Sequence, residues 1–339
     1  LLIQDGRIAA IGAHGSLTPP AAALRVAGAG KFLIPGLWDM HVHPDDPEIW
    51  ERNPSEEERA AFMDLFVLNG VLGVRDMGGD LHRVKGWRDE IEAGQRLGPR
   101  ILFCGPLVDG PAPMWPGSVA CETAEDGRRA VRDLKARGVD FIKVYSLLPR
   151  AAYFAIAEEC RAQGLRFEGH VPDAVTNREA VDAGQASLEH LLGLHRELGD
   201  RFAAREAAGK LPPETPDAER GEAMVQAMLD HVDAAKAKAL YEHIAAKGVA
   251  VTPSVLVWER NAWFDLSDPA MAARLPFMPP TFRNWSTPEQ NVHLRDRAPA
   301  EVRMRQRLVQ FYLEVVKDMH AAGVTLMTGS DTGGNPLCF

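Results

Sequence analysis

The stretch "FLIPGLWDMHVHP", residues 32 to 44, joins an apolar run to two histidines one residue apart, His41 and His43. Phe32, Leu33, Ile34, Leu37 and Trp38 have the β-branched and aromatic bias of an interior strand, predicted over 32 to 41, and Pro35-Gly36 lets the backbone turn sharply. Side chains at i and i+2 of a strand share one side, so the two imidazoles aim at one point. That convergence suggests a metal ion. A solvated strand end, or an electrostatic role shared with flanking Asp39 and Asp45, is the alternative, and any further ligands must come from elsewhere in the chain.

Outward from this stretch, apolar β-like runs alternate with helical ones. The remaining strand candidates are 70–79, 100–108, 140–146, 166–172, 186–191, 249–257 and 324–331. Between them, 55–69, 123–137, 149–163, 233–247 and 299–322 read as helices, several ended by a glycine such as Gly164 or Gly248. Eight strands alternating with helices predict a (β/α)8 barrel of the α/β class. Ahead of it, "LLIQDGRIAAIG" reads as a hairpin turning at Asp5-Gly6, which puts a small β element at 1–30 and the barrel at 31–339. Two insertions interrupt the rhythm. Residues 196–232 are charged, Ala/Glu-rich and read as helical, while 258–298 carry Trp258, Trp263, Phe264, Phe277 and Trp285, a pattern suited to a substrate wall or to packing over the rim.

The 339 residues are 46% hydrophobic and 25% charged, enough for one large barrel or two ordinary domains. A net charge of −9 without a basic block argues against nucleic acid as a partner. No apolar segment reaches the ~20 residues that span a bilayer, and a signal core is missing, so a cytoplasmic setting is favoured; the non-methionine start leaves a removed leader open. Cys104, Cys121, Cys160 and Cys338 lack C-x-x-C spacing and read as ordinary thiols.

Barrel chemistry sits at the C-terminal ends of strands. Those ends carry His41 and His43 on the first strand, Lys143 on the fourth, His170 on the fifth, His190 on the sixth and Asp331 on the eighth. Each has an ordinary reading alone: Lys143 as a surface lysine, Asp331 as a turn residue, and His190 in competition with His195, which lies beyond the apolar run. Six in register are harder to explain separately. In this arrangement "GLWDMHVH", "FIKVYS", "EGHVP", "SLEH" and "TGSDTG" resemble, in order, the strand-end motifs of the amidohydrolase superfamily, in its binuclear-metal branch and nearest the imidazolonepropionase-related and prolidase-like hydrolases.

The resemblance implies two divalent metal ions, zinc foremost, with His41, His43 and Asp331 on one and His170 and His190 on the other. It implies a carboxylated (carbamylated) Lys143 bridging them, since a carbamate supplies hard oxygens where an ammonium would repel a dication. The expected reaction is hydrolysis of an amide C–N bond in a dipeptide or N-acyl amino acid by a metal-bridging hydroxide, with Asp331 as proton acceptor and donor. Tyr145, Trp115, Trp258 and Arg75 are the candidates for holding a small-molecule substrate, although rim packing, or for Arg75 a pairing with Asp76, is open for them. A lactonase, esterase or phosphotriesterase would use the same centre; a mononuclear deaminase would lack the bridging lysine; a catalytically silent barrel would lack ligands. A homo-oligomer is compatible with the sequence. Relatives of this kind run on through a last helix and a completed β-sandwich, so the chain is expected to be truncated after Asp331.

Overall fold

The computed structural model describes residues 1–45, 54–264, 269–277, 280–285 and 297–333. It divides into two compact units, Leu1–Pro35 and Gly36–Phe339. In the first, β1 (Leu2–Gln4) and β2 (Arg7–Ala10) pair antiparallel. The turn residues Asp5 and Gly6 both have positive φ, 51° and 70°, as the Asp-Gly reading required. Phe32, Leu33 and Ile34 are exposed rather than interior, and no strand forms until Leu37. The apolar run therefore misled: Pro35 has no N–H to give a strand ladder, and the paired strand begins only beyond it.

The second unit is α/β. A three-stranded parallel sheet joins β3 (Leu37–Val42), β4 (Val71–Asp76) and β5 (Arg100–Phe103). A seven-stranded parallel sheet contains β6 (Val108–Asp109), β7 (Val119–Ala120), β8 (Phe141–Val144), β9 (Arg166–Gly169), β10 (Ser187–Glu189), β11 (Ala250–Thr252) and β12 (Thr325–Leu326). Its order is β12-β11-β10-β9-β8-β6-β7. Hydrogen bonds tie both edges of the three-stranded sheet to the seven-stranded one. Asp140 N–H donates to Phe103 C=O at 2.9 Å, and Met40 N–H and His43 N–H donate to the carbonyls of Thr328 and Thr332, each at 2.8 Å.

The predicted helices form with ends within a residue or so of those expected: Glu56–Leu68, Ala124–Ala136, Arg150–Gln163, Ala234–Lys247 and Pro299–Ala321. Ser55, Thr123 and Thr176 close capping boxes that satisfy otherwise orphaned first-turn N–H groups. Helix residues such as Phe62, Leu134, Ile156, Ile244 and Tyr312 share one core with strand residues Val74, Ile142, Leu188 and Val251. β8 and β10 are buried along their whole length, including the polar Lys143, Ser187 and Glu189, while the rest of β8 is apolar. Residues 201–209 and 217–230 of the charged insertion are helical.

The strands are shorter than the apolar runs. The run 100–108 is divided between β5 and β6, and β11 stops at Thr252, so Val255–Val257, read as strand, instead starts a helix, Val255–Trp263. Apolar periodicity over so few residues does not separate a buried helix turn from a strand. Among the described residues no helix is long and apolar enough to cross a membrane. Cys104, Cys121 and Cys160 are free and buried; Cys338 and the side chain of Trp285 lie outside the described residues.

One glycine is decisive for the chemistry that follows. Gly169 has φ +133°, and a Cβ there would press on the Val144 carbonyl and stand 2.8 Å from Lys143 Cδ. Gln185 holds the same turn, donating from Nε2 to the carbonyls of Gly169 (2.8 Å) and Ser187 (2.9 Å). Replacing Gly169 with alanine is expected to cost more than about 2 kcal/mol, because backbone strain and a core clash add. Urea unfolding of Gly169→Ala beside a surface control such as Gly209→Ala checks this; equal midpoints would refute it.

Candidate functional site

The parallel strands place all six strand-end residues at one end of the second unit. His41 is the fifth residue of β3 and His43 follows the strand; Lys143 lies within β8; His170 and His190 follow β9 and β10 directly. Asp331 lies five residues past β12, held alongside β3 by its N–H on the His41 carbonyl at 2.7 Å. Residues His190, Leu191 and Asp331 have left-handed φ of 60°, 59° and 56°. Such angles are costly for non-glycine residues and concentrate at functional sites.

Asp331 Oδ1 sits between two imidazoles, 3.4 Å from His41 Nε2 and 3.3 Å from His43 Nε2. One ligand atom from each of the three lies within 4.8 Å of the others, close enough to hold a single divalent ion. The other ring nitrogens are already engaged. His43 Nδ1–H donates to the Gly78 carbonyl at 3.0 Å, and His41 Nδ1–H to Glu189 Oε2 at 2.7 Å. With the proton on Nδ1, each ring turns an Nε2 lone pair toward Asp331.

The other three residues surround this group. Lys143 is fully buried, its Nζ 3.5 Å from His41 Nε2. The His190 ring lies 4.3 Å from that of His41 and 5.0 Å from that of His170, centroid to centroid. His170 Nδ1 pairs with Ser146 Oγ at 2.8 Å. His190 Nδ1 is buried with no hydrogen-bond partner among the described residues. A buried imidazole nitrogen left without a partner is costly, and beside a carboxylate, a buried lysine and three further histidines it is the mark of a ligand's place. The donor set fits divalent metal.

Burial, and next the Lys143 charge, push His41 and His170 well below the ordinary imidazole range; burial does the same, less strongly, to His190. All three are therefore neutral near pH 7, the form in which imidazole binds a cation. Burial pushes Asp331 upward, but positive charge beside it outweighs that and holds the carboxyl low; with the imidazoles neutral, the charge present near pH 7 is that of Lys143. Burial lowers Lys143 to about 8, against the upward pull of Glu189. Burial raises Asp76, next to this group, to about 7.

The expected substrate residues divide. Tyr145 stacks on His170 with centroids 4.0 Å apart, and Trp115 Nε1–H donates to its hydroxyl at 2.7 Å, so these two stand together beside the histidines. Trp258 instead donates from Nε1 to the His190 carbonyl at 2.9 Å, clamping the strained backbone of a candidate ligand. Arg75 is buried and not paired with Asp76 in the way considered from sequence: its Nε donates to the Met40 carbonyl (2.6 Å), Nη1 to Glu168 and to Ser187 Oγ (3.0 Å), and Nη2 to Glu189 Oε1 (2.8 Å) and Thr252 Oγ1 (3.2 Å). His195 pairs with Tyr312 at 3.1 Å rather than joining the cluster. The sequence reading missed Glu189, Glu168 and Ser146. The available signal was a charged residue within a short apolar strand: Glu168 in "RFEG", and Glu189 directly before His190.

No family model matches the chain, and none of the curated proteins does. Several solved structures do resemble it. Bottromycin amidohydrolase is 24% identical with a TM-score of 0.65, the match covering 89% of this chain and 59% of that one. A putative prolidase from Bifidobacterium longum is 19% identical at 0.53, covering 90% and 61%, and A. niger ochratoxinase 19% identical at 0.55, covering 88% and 63%. The chain thus spans about three fifths of the length of the first two. The likeness is one of fold: the structural neighbours are amidohydrolase-superfamily proteins, in line with the resemblance read from the strand ends.

Only a neutral amine attacks carbon dioxide. With Lys143 near 8, roughly a tenth of it is neutral at pH 7, against well under a thousandth for an ordinary lysine. At fixed dissolved carbon dioxide, carbamate formation on metal-free protein is expected to rise through pH 8, read as a 13C carbamate signal absent from Lys143→Ala. No such signal at pH 8.5 would count against a reactive lysine.

Proposed function

We propose that the chain is a metal-dependent hydrolase of the amidohydrolase kind that cleaves an amide C–N bond in a small-molecule substrate, with dipeptides and N-acyl amino acids the first class to test. The observation that carries this is the meeting of His41, His43 and Asp331 within 4.8 Å, beside buried Lys143 and the pair His170 and His190. Structural neighbours named as an amidohydrolase, a prolidase and a Xaa-Pro dipeptidase support an amide substrate. The hydrogen bonds between the two sheets at both edges support a closed eight-stranded barrel as the frame.

In this reading His41, His43 and Asp331 would hold one divalent ion and His170 and His190 a second, with carboxylated Lys143 shared between them; zinc suits the mixture of imidazole nitrogen and carboxylate oxygen. Such ions acidify water and polarise a carbonyl. Asp331, held ionised, accepts the proton of the attacking water on a carboxylate oxygen and delivers it to the leaving nitrogen. Tyr145, stacked on His170, offers its hydroxyl to the substrate, and Trp115 fixes that hydroxyl's place. An amide, rather than an ester or phosphotriester, is favoured by the names of the structural neighbours.

Elemental mass spectrometry of protein expressed with zinc and bicarbonate is expected to find about two metals per chain, and fewer in Lys143→Ala. With dipeptides and N-acyl amino acids, Asp331→Asn is expected to lose about 10²- to 10⁴-fold in kcat while keeping KM within a small factor. One metal per chain, unchanged in Lys143→Ala, would replace this reading with a mononuclear one; no metal, or turnover of lactones but no amide, would end it.

A further inference from the structure

Arg75 is a strand cation whose donors reach across both sheets. From β4 it contacts β3 through the Met40 carbonyl, β9 through Glu168, β10 through Ser187 and Glu189, and β11 through Thr252. The consequence lies at Glu189. Its two carboxylate oxygens have separate tasks: Oε1 accepts from Arg75 Nη2 at 2.8 Å and from the Ser187 hydroxyl, while Oε2 accepts from His41 Nδ1 at 2.7 Å. All four side chains are buried.

We propose that Arg75 is a positioning residue for the ligand His41, acting through Glu189: by occupying Oε1 it aims Oε2 at the imidazole, which keeps the His41 proton on Nδ1 and turns the Nε2 lone pair to the site. A guanidinium can only donate, so whatever stands at position 189 must present an acceptor to it. A carboxylate then still has an acceptor left for His41. An amide does not. In Glu189→Gln, Oε1 faces Arg75 and the NH2 group faces His41, where it can only donate; His41 Nδ1 must accept, and the ring proton moves to Nε2. That atom is the one 3.4 Å from Asp331 Oδ1 and 3.5 Å from Lys143 Nζ. A single isosteric change thus blocks a metal-facing nitrogen without creating a cavity. The inference deepens the metal reading above and rests on it for its purpose, although the tautomer can be observed without metal.

The test is side-chain 15N NMR of histidine in metal-free protein near neutral pH, with zinc affinity from chelator competition and an unfolding midpoint as a check of folding. The wild-type chain is expected to show His41 as the Nδ1–H tautomer, and folded Glu189→Gln as the Nε2–H tautomer with zinc bound about 10- to 100-fold more weakly. Arg75→Lys, which can still only donate, is expected to keep Nδ1–H and to lose less zinc affinity than Glu189→Gln. A folded Glu189→Gln that keeps Nδ1–H, or binds zinc as the wild type does, overturns the inference. A wild-type chain that takes up no zinc overturns the metal reading instead, while the tautomers still decide this one.

Discussion

The contact on which the site depends is the buried pairing of Arg75 with Glu168 and Glu189. Charges withdrawn from water carry a large desolvation penalty, and the pairing is tolerable only when every donor and oxygen finds a partner. Here the guanidinium reaches five acceptors, and both Glu189 oxygens are engaged. The requirement holds five strands in one arrangement and leaves His41 with a defined ring orientation. Removing Arg75 would leave two carboxylates in the interior without their cation, so this network constrains geometry more than it adds stability.

Around it, the environment sorts the ionisable groups by charge. Burial makes the imidazoles neutral and lowers the lysine, while Asp331, surrounded by groups able to carry positive charge, stays ionised. Neutral nitrogen donors, one carboxylate and a lysine close to deprotonation are what a divalent cation requires of a protein. The left-handed backbone at His190 and Asp331 adds strain, and the Trp258 indole and the His41 carbonyl hold those segments in place.

The division of labour among the aromatic residues follows from their partners. Tyr145 and Trp115 form a pair next to His170, whereas Trp258 spends its only polar hydrogen on the backbone of His190. An indole has one donor and no acceptor, so a tryptophan already committed to a carbonyl contributes shape rather than hydrogen bonding to anything that binds nearby.

Sequence alone determined the alternation of strands and helices and the six residues at strand ends, because period-two and 3.6-residue patterns, caps and short motifs are local features. It also determined the Asp5-Gly6 turn. It misplaced Phe32 to Ile34 in a strand and Val255 to Val257 in another, since a few apolar residues look alike in a strand, a helix or an exposed segment. Only the tertiary structure decided that Arg75 faces inward to Glu168 and Glu189 and that Trp258 clamps His190. The Arg75 pairings join residues about a hundred positions apart across two sheets, and no local pattern records which distant charge will be there to satisfy a buried one.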